Sequence, residues 1–402
     1  MMKLLSALAF IAKYILIGLG IAALLVLLMP EKFNLNRLID FNSQTQTEAQ
    51  IQALKPTSDP ATLIAKAKAA VVTLQVGSKA YPINSRQCFD NVRNHSSEQN
   101  ACTFVNNGSG VIIDKEGYLI TSAHVVTFSS RGQIFDQAES IIVSFNDSKT
   151  HSATIVGIDR ESDLALLKLN NPNNLIEHFL PLATNKNTQV GETVYAIGTP
   201  YMGFEQTVTS GIISAKFFAK VSNYLQTDAQ LRSGNSGGAL INANGDLIGI
   251  TQLSTQEVSG EQLLQNFAIT APDVARIASQ LKQYGKVKRG WLGFSGDMSI
   301  NLASISQERQ LNTQQVAELE SAIKQLPFGL GIVVTGLHAN GPAEQAGLQL
   351  FDIVTKVNEL PLYNSTDLLG AIWNKAPDDR VTVTYWRNGQ EFKTEVVLGT
   401  KS

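Results

Sequence analysis

Between residues 70 and 270 the apolar positions of this chain come in short runs broken by turn residues. Runs at 71–76, 110–113, 141–145, 154–158, 164–169, 193–197 and 247–250 are regularly spaced, which predicts an all-β region folded as a pair of barrels. The pattern then changes. Over 273–284 apolar residues recur at helical spacing and stop at Gly285, a natural C-terminal cap. This helix and the basic stretch Lys286-Val287-Lys288-Arg289 mark a domain boundary, so that 61–285 and 286–402 read as two folded units.

The N-terminus has a third pattern. Residues 14–29 carry no charge. As a helix they span about 24 Å, short of the ~30 Å hydrocarbon core. Residues 6–12 supply the missing length if Lys13 snorkels toward the headgroups. A cleaved signal peptide has a shorter apolar region and a small-x-small site, whereas this run ends Val26-Leu27-Leu28-Met29-Pro30-Glu31-Lys32. Residues 1–30 are therefore expected to form an uncleaved transmembrane anchor. Lys3 and Lys13 precede the apolar run and keep the N-terminus cytoplasmic, with the rest of the chain outside. The polar Gln/Asn/Thr/Ser-rich stretch that follows makes 31–60 a linker.

Composition narrows the functional classes. With 402 residues, 44% of them hydrophobic, there is chain enough for two cores. A formal net charge of −2 implies no polyanionic partner and argues against nucleic acid. The two cysteines, Cys88 and Cys102, flank a polar, turn-rich segment. Outside the membrane they read as one disulfide stapling a surface loop, the alternative being two unrelated buried thiols. Two cysteines are too few for a structural zinc site, and no metal or other cofactor is expected.

The most specific chemistry lies in Gly234-Asn235-Ser236-Gly237-Gly238. A nucleophilic serine needs an exposed hydroxyl beside backbone N–H groups aimed at the same point, and glycine permits that turn while leaving the substrate room. An ordinary turn has the same composition, so the decision rests on a base and an acid upstream. Of the five histidines, His124 closes the apolar run Leu119-Ile120-Thr121-Ser122-Ala123, where a base is held rigidly. Asp163 opens Leu164-Ala165-Leu166-Leu167-Lys168-Leu169 and would fix the imidazole tautomer. Asp159 competes for that role but lies outside the continuous apolar run and reads as a turn residue. The chain order His124, Asp163, Ser236 is that of chymotrypsin-type double barrels, not of subtilisins or α/β-hydrolases.

Thr121-Ser122-Ala123-His124, the Asp163 run, and Gln226-Thr227-Asp228-Ala229 leading into the Ser236 loop resemble the HtrA (high-temperature-requirement) serine proteases, from about residue 60 to the C-terminus. The second unit supports this. Trp291-Leu292-Gly293-Phe294 resembles the carboxylate-binding loop of a PDZ domain, whose N–H groups hold a peptide's C-terminus while the peptide adds as a strand. Gly341-Pro342-Ala343-Glu344-Gln345-Ala346-Gly347-Leu348, then Asp352-Ile353-Val354, resembles the helix–strand passage of the same domain. Only one such unit is present, and residues 299–328, polar and partly helical in pattern, read as an insertion within it.

The resemblance implies a chymotrypsin-like double β-barrel followed by an α+β PDZ domain. Ser236 would be the nucleophile, His124 the base, Asp163 its orienter, and the N–H groups of Gly234 and Ser236 the oxyanion hole. The pocket floor, six residues before the nucleophile, is Gln230, which offers no charge to a Lys or Arg. Leu253 and Ile269 resemble pocket-lining positions and would favour small or medium apolar side chains, if they are not simply barrel core. Leu231-Arg232-Ser233 before Gly234 departs from the family's commoner pattern, as does Thr270 after Phe267-Ala268-Ile269. In the regulatory-loop position, Lys216 to Tyr224, no arginine aligns, and Lys216 and Lys220 are the candidate substitutes.

By resemblance to the anchored, single-PDZ branch, the expected protein is a homotrimeric periplasmic endopeptidase of the bacterial inner membrane. It would sense C-terminal peptides of misfolded outer-membrane proteins and cleave a membrane-bound anti-sigma factor. A general periplasmic quality-control protease, and a PDZ scaffold with a latent protease, are the alternatives.

Overall fold

The computed structural model describes residues 59–400 except 83–94, 99–100, 131–132, 147–148, 173–177, 186, 200–205, 220, 259–260, 299–302, 304–305, 308–311 and 325–330. The expected anchor, the linker up to residue 58, and Cys88 lie outside the described residues; Cys102 is described only by its backbone, so the Cys88–Cys102 pairing lies outside them as well. Among the described residues no helix is long and apolar enough to cross a membrane. Residues from Ser58 to Ser402 form one compact unit.

That unit opens with α1 (Pro60–Ala70), which the apolar pattern does not predict. Its start is nonetheless chemically marked: the Asp59 carboxylate accepts the Ala61 N–H, and Pro60 occupies the first turn, where no N–H partner is needed. The strands of the first half are β1 (Val71–Gly77), β2 (Tyr81–Pro82), β3 (His95–Glu98), β4 (Ala101–Ile112), β5 (Tyr118–Ser122), β6 (Thr127–Ser130), β7 (Gln133–Gln137), β8 (Ser140–Ser144), β9 (Thr150–Asp159) and β10 (Leu164–Leu169), with β6 and β7 paired in a sheet of their own. Pairing runs β1-β8-β9-β10-β5-β4 and returns to β1 through Val71 opposite Val111, which closes a ring of six strands.

β10 shows why its sequence is almost wholly apolar. Ala165, Leu167 and Leu169 fill the barrel interior, while Leu164 and Leu166 face outward into a second core shared with the following elements. A strand buried on both faces has no alternation to show.

The second barrel is a closed ring in the order β11-β12-β13-β16-β15-β14, formed by β11 (Thr193–Gly198), β12 (Thr207–Ala219), β13 (Ser222–Thr227), β14 (Ala239–Asn242), β15 (Leu247–Val258) and β16 (Glu261–Thr270). Ile197, Ile241, Ile250 and Ile269 point from it into the shared core, where Val274, Ile277 and Leu281 of α2 (Ala271–Tyr284) join them. Gly285 ends α2 in the left-handed region (φ 68°), its N–H donating to the Leu281 carbonyl.

The PDZ-like part is built from β17 (Gly290–Trp291), β18 (Phe294–Met298), α3 (Thr313–Lys324), β19 (Ile332–Leu337), α4 (Pro342–Gln345), β20 (Ile353–Val357), β21 (Leu360–Pro361), α5 (Ser365–Ile372), β22 (Arg380–Arg387), β23 (Gln390–Val397) and β24 (Gly399–Thr400). Its main sheet runs β18-β19-β20-β22-β23, leaving β18 as an edge. Ile332, Val334 and Val354 pack on one face with Ala343 of α4 and Ala371 of α5. On the other face Val333 and Ile353 pack against Leu319 of α3. Part of the 299–328 insertion is therefore structural, since its helix covers the second face of the sheet.

The protease and PDZ parts meet through specific contacts. Arg289 binds Asp159 with both guanidinium nitrogens (2.8 and 2.5 Å), and Ser162 also donates to Asp159. This corrects the reading of Asp159 as a turn residue: it is the last residue of β9 and is only 6% exposed, because a buried carboxylate is tolerated once a bidentate partner neutralises it. Nearby, Trp373 meets Phe218 of β12 at a tilt (centroids 5.6 Å apart, planes at 48°), with the Arg276 guanidinium 4.5 Å from the centre of its ring.

Candidate active site

β5 ends at Ser122, and a single 3₁₀ turn, Ala123–Val125, carries His124 out of the barrel wall. Across the pair β5–β10, Asp163 stands one residue before β10 with φ 57°, a left-handed conformation uncommon outside glycine. That twist aims its carboxylate at the 3₁₀ turn. One oxygen accepts the His124 backbone N–H (2.9 Å) and the other lies 2.7 Å from Nδ1 of the ring. A carboxylate there selects the tautomer with hydrogen on Nδ1 and leaves Nε2 as the acceptor. The His124 side chain is 48% exposed, so Nε2 is reachable by a substrate.

Ser236 sits on a loop packed between the barrels and is 6% exposed. Just before it, the Asn235 N–H donates to the Arg232 carbonyl (2.9 Å) and Gly234 has φ 95°, the requirements of a type II turn. Among the described residues neither the Gly234 nor the Ser236 N–H donates to an acceptor. Ser109, in Gly108-Ser109-Gly110 of β4, clasps this loop: its N–H donates to the Ser236 carbonyl (3.0 Å) and its hydroxyl to the Gly234 carbonyl (2.8 Å). The Thr199 N–H donates to that same hydroxyl (2.8 Å). Gly237, at φ 83°, donates to the Thr251 carbonyl and lies so close to β5 that a Cβ there would stand 2.9 Å from the Ser122 nitrogen. Ser236 and His124 are thus held against the same stretch of β5. Among the described residues they share no direct hydrogen bond, a common state for catalytic groups before substrate arrives.

The remaining expected site residues are placed as follows. Gln230 is exposed, and its carbonyl accepts from the Thr209 hydroxyl (2.8 Å). Leu253 lies in β15 opposite Asn266, whose side-chain oxygen accepts the Leu231 N–H. Ile269 is fully buried in the shared core with Tyr224 and Ile250, so its side chain serves packing rather than a pocket wall. Lys216 reaches the Thr188 carbonyl (2.8 Å), and Lys220 is outside the described residues.

In the PDZ-like part Leu292 is buried and its carbonyl accepts the Ala343 N–H (2.8 Å). Trp291 meets His338 edge to face at 4.7 Å. Gly293 (φ 82°) lies so close to Pro342 that a Cβ would fall 2.6 Å from its Cδ. Phe294 then starts β18, the edge strand of the main sheet among the described residues, which lies near α5.

Two titrating groups beneath the site are displaced by burial. The Tyr224 phenol is pushed up to about 12, first by burial and then by the negative charge of Asp163. Burial also raises the Asp273 carboxyl, against the hydrogen bonds from Asn223 that favour its charged form. Among the described residues no group of three or more His, Cys, Asp and Glu could hold a metal ion.

The sequence pattern assigns no individual role to Ser109, although the glycines around it are a usable signal, since they mark close backbone approach.

Residues 108–250 match the family described as trypsin-like peptidase domain, and 296–398 match PDZ domain. The serine endoprotease DegS of Salmonella typhimurium is 30% identical over 395 residues, 96% of each chain. The periplasmic pH-dependent serine endoprotease DegQ of Escherichia coli is 31% identical over 373 residues, 90% of this chain and 75% of that protein. Among solved structures, the HtrA-type protease AlgW with decapeptide is 28% identical with a TM-score of 0.62, covering 86% of this chain and 99% of that one. A serine endoprotease from Yersinia pestis is 29% identical with a TM-score of 0.57 over the same shares. Fold and likeness together define a serine endopeptidase of the trypsin-like, double-barrel class carrying one PDZ domain. Within that class, the chain belongs to the HtrA family.

Proposed function

We propose that Ser236, His124 and Asp163 are the catalytic triad of an envelope-stress endopeptidase anchored in the inner membrane. The observation that carries the catalytic reading is the Asp163 carboxylate holding both the backbone and the ring of His124, beside a serine loop with two N–H groups unpaired among the described residues. In the reaction His124 Nε2 takes the Ser236 proton as Oγ attacks the scissile carbonyl. The N–H groups of Gly234 and Ser236 hold the oxyanion, and the imidazolium then gives its proton to the leaving amine. Gln230 places no charge in the primary pocket, and with Leu253 it favours small or medium apolar side chains.

The proposed domain limits are anchor 1–30, linker 31–60, protease 61–285 and PDZ 286–402. The PDZ edge strand β18 and the loop 291–294 would take the C-terminus of misfolded outer-membrane proteins, and the protease would cleave a periplasmic anti-sigma factor as a homotrimer, with the Cys88–Cys102 disulfide formed in that compartment. Near-complete overlap with DegS supports this branch. Likeness to DegQ favours the second reading, general periplasmic quality control. A serine-directed phosphonate probe, applied with and without a C-terminal peptide, tests both. Labelling of wild type but not of Ser236→Ala is expected, and stimulation by peptide selects the stress-sensor reading. Equal labelling of the Ser236→Ala variant would refute the nucleophile; absence of labelling under every peptide would leave a peptide-binding scaffold.

A further inference from the structure

Asp163 has to hold an uncommon backbone conformation for its carboxylate to serve His124. With φ at 57° a non-glycine residue relaxes readily unless its surroundings over-determine it. The carboxylate is committed to His124, so whatever holds the residue must act on its backbone. One restraint is local: the Ala123 N–H donates to the Asp163 carbonyl (2.9 Å). The other comes from the second barrel. Gln252 of β15 is 7% exposed, and its side-chain amide donates to the Asp163 carbonyl (3.0 Å) and to the Ser162 carbonyl (3.3 Å).

We propose that Gln252 is a positioning residue for Asp163, fixing the acid's left-handed backbone from the opposite barrel. The inference rests on the triad reading. One planar amide spans two consecutive carbonyls, and so sets the orientation of the peptide between them as well as its place. The neighbouring strand residue Thr251 works on the nucleophile side: its hydroxyl donates to the Asn235 carbonyl (2.7 Å), and its own carbonyl accepts the Gly237 N–H (2.8 Å). Two adjacent residues of β15 therefore set the spacing between the serine loop and the acid loop. Among the described residues Gln252 hydrogen-bonds to neither ring nor carboxylate, so its loss acts on the base through Asp163.

The test is a double-mutant cycle between Gln252→Met, which keeps length and removes both donors, and Asp163→Asn, read as kcat and KM on a peptide substrate. Gln252→Met alone is expected to lower kcat by roughly 10- to 100-fold with KM nearly unchanged. In the Asp163→Asn background it should have almost no further effect, because the residue it positions is already disabled. The low-field proton resonance of the His124 Nδ1–H should weaken in Gln252→Met. If that variant fails to fold, Gln252→Asn, one methylene too short to span the carbonyls, takes its place in the cycle. Equal losses in both backgrounds, or no loss in kcat, would overturn the proposal. An Asp163→Asn enzyme as active as wild type would instead bring down the triad reading, and this proposal with it.

Discussion

Gly237 is where the serine loop has least freedom. A Cβ at that position would stand 2.3 Å from the Ser109 carbonyl oxygen and 2.4 Å from the Thr121 hydroxyl, and φ is 83°. Gly237→Ala should therefore both lose activity and destabilise the protease domain by at least about 2 kcal/mol, seen as a lower melting temperature. Tyr224 makes a different statement at the same scale. Its phenol moves from an ordinary value of 10.0 to about 12, so the fold favours the neutral form. Its contribution is complete below pH 10 and is lost as pH rises toward 12, an order of about 3 kcal/mol. Denaturant titrations of wild type and Tyr224→Phe should coincide in slope below pH 10 and separate above it; parallel behaviour up to pH 12 would contradict this. His124 and Asp163, to which strand ends and a recurring order point, lie 2.7 Å apart in the structure. For Ile269 the sequence leaves pocket wall and barrel core open, since both call for the same apolar side chain, and the structure buries it in the shared core.

Among the elements, α3 tests how an insertion can become part of a core. Its buried stripe centres on Leu319, 3% exposed against Val333 and Ile353. Leu319→Ala should cost about 2–4 kcal/mol and leave the protease barrels unchanged. Earlier thermal unfolding or faster proteolysis of the PDZ domain alone would report it; an unaltered PDZ transition would mean that the helix is dispensable cover. The stripe was legible as a partly helical pattern, but its target was not, because β19 and β20 are apolar whichever face is covered. α1 is the opposite case. Asp59 and Pro60 announce a helix start, yet only Ala67 and Ala70 are buried, too small a stripe to stand out by period.

Across the whole molecule, the protease and PDZ domains are joined by a buried ion pair rather than by apolar area alone. Arg289→Ala would leave Asp159 charged and buried without its cationic partner, a loss of about 3–5 kcal/mol. Asp159→Asn made on top of it should recover part of that loss, since the stranded charge is then gone. Calorimetry of the three variants reads both effects, and additive losses would mean that the pair is not coupled.

The apolar runs that lie in strands, the helix closing at Gly285 and the three residues of the proposed triad are read from the chain itself. Each depends on local quantities: the length of an apolar run, the φ a glycine allows, a functional group placed at a strand end. Ser109 on the serine loop, Gln252 on the acid loop and Arg289 on Asp159 were decided only when the barrels and the PDZ domain came together. These are polar side chains whose partners are carbonyls or carboxylates distant in sequence, and beyond the glycines flanking Ser109 nothing in a local window distinguishes them from surface residues. They acquire their roles through desolvation, because a polar group removed from water must find a partner, and only packing determines which groups lose their water and what then faces them.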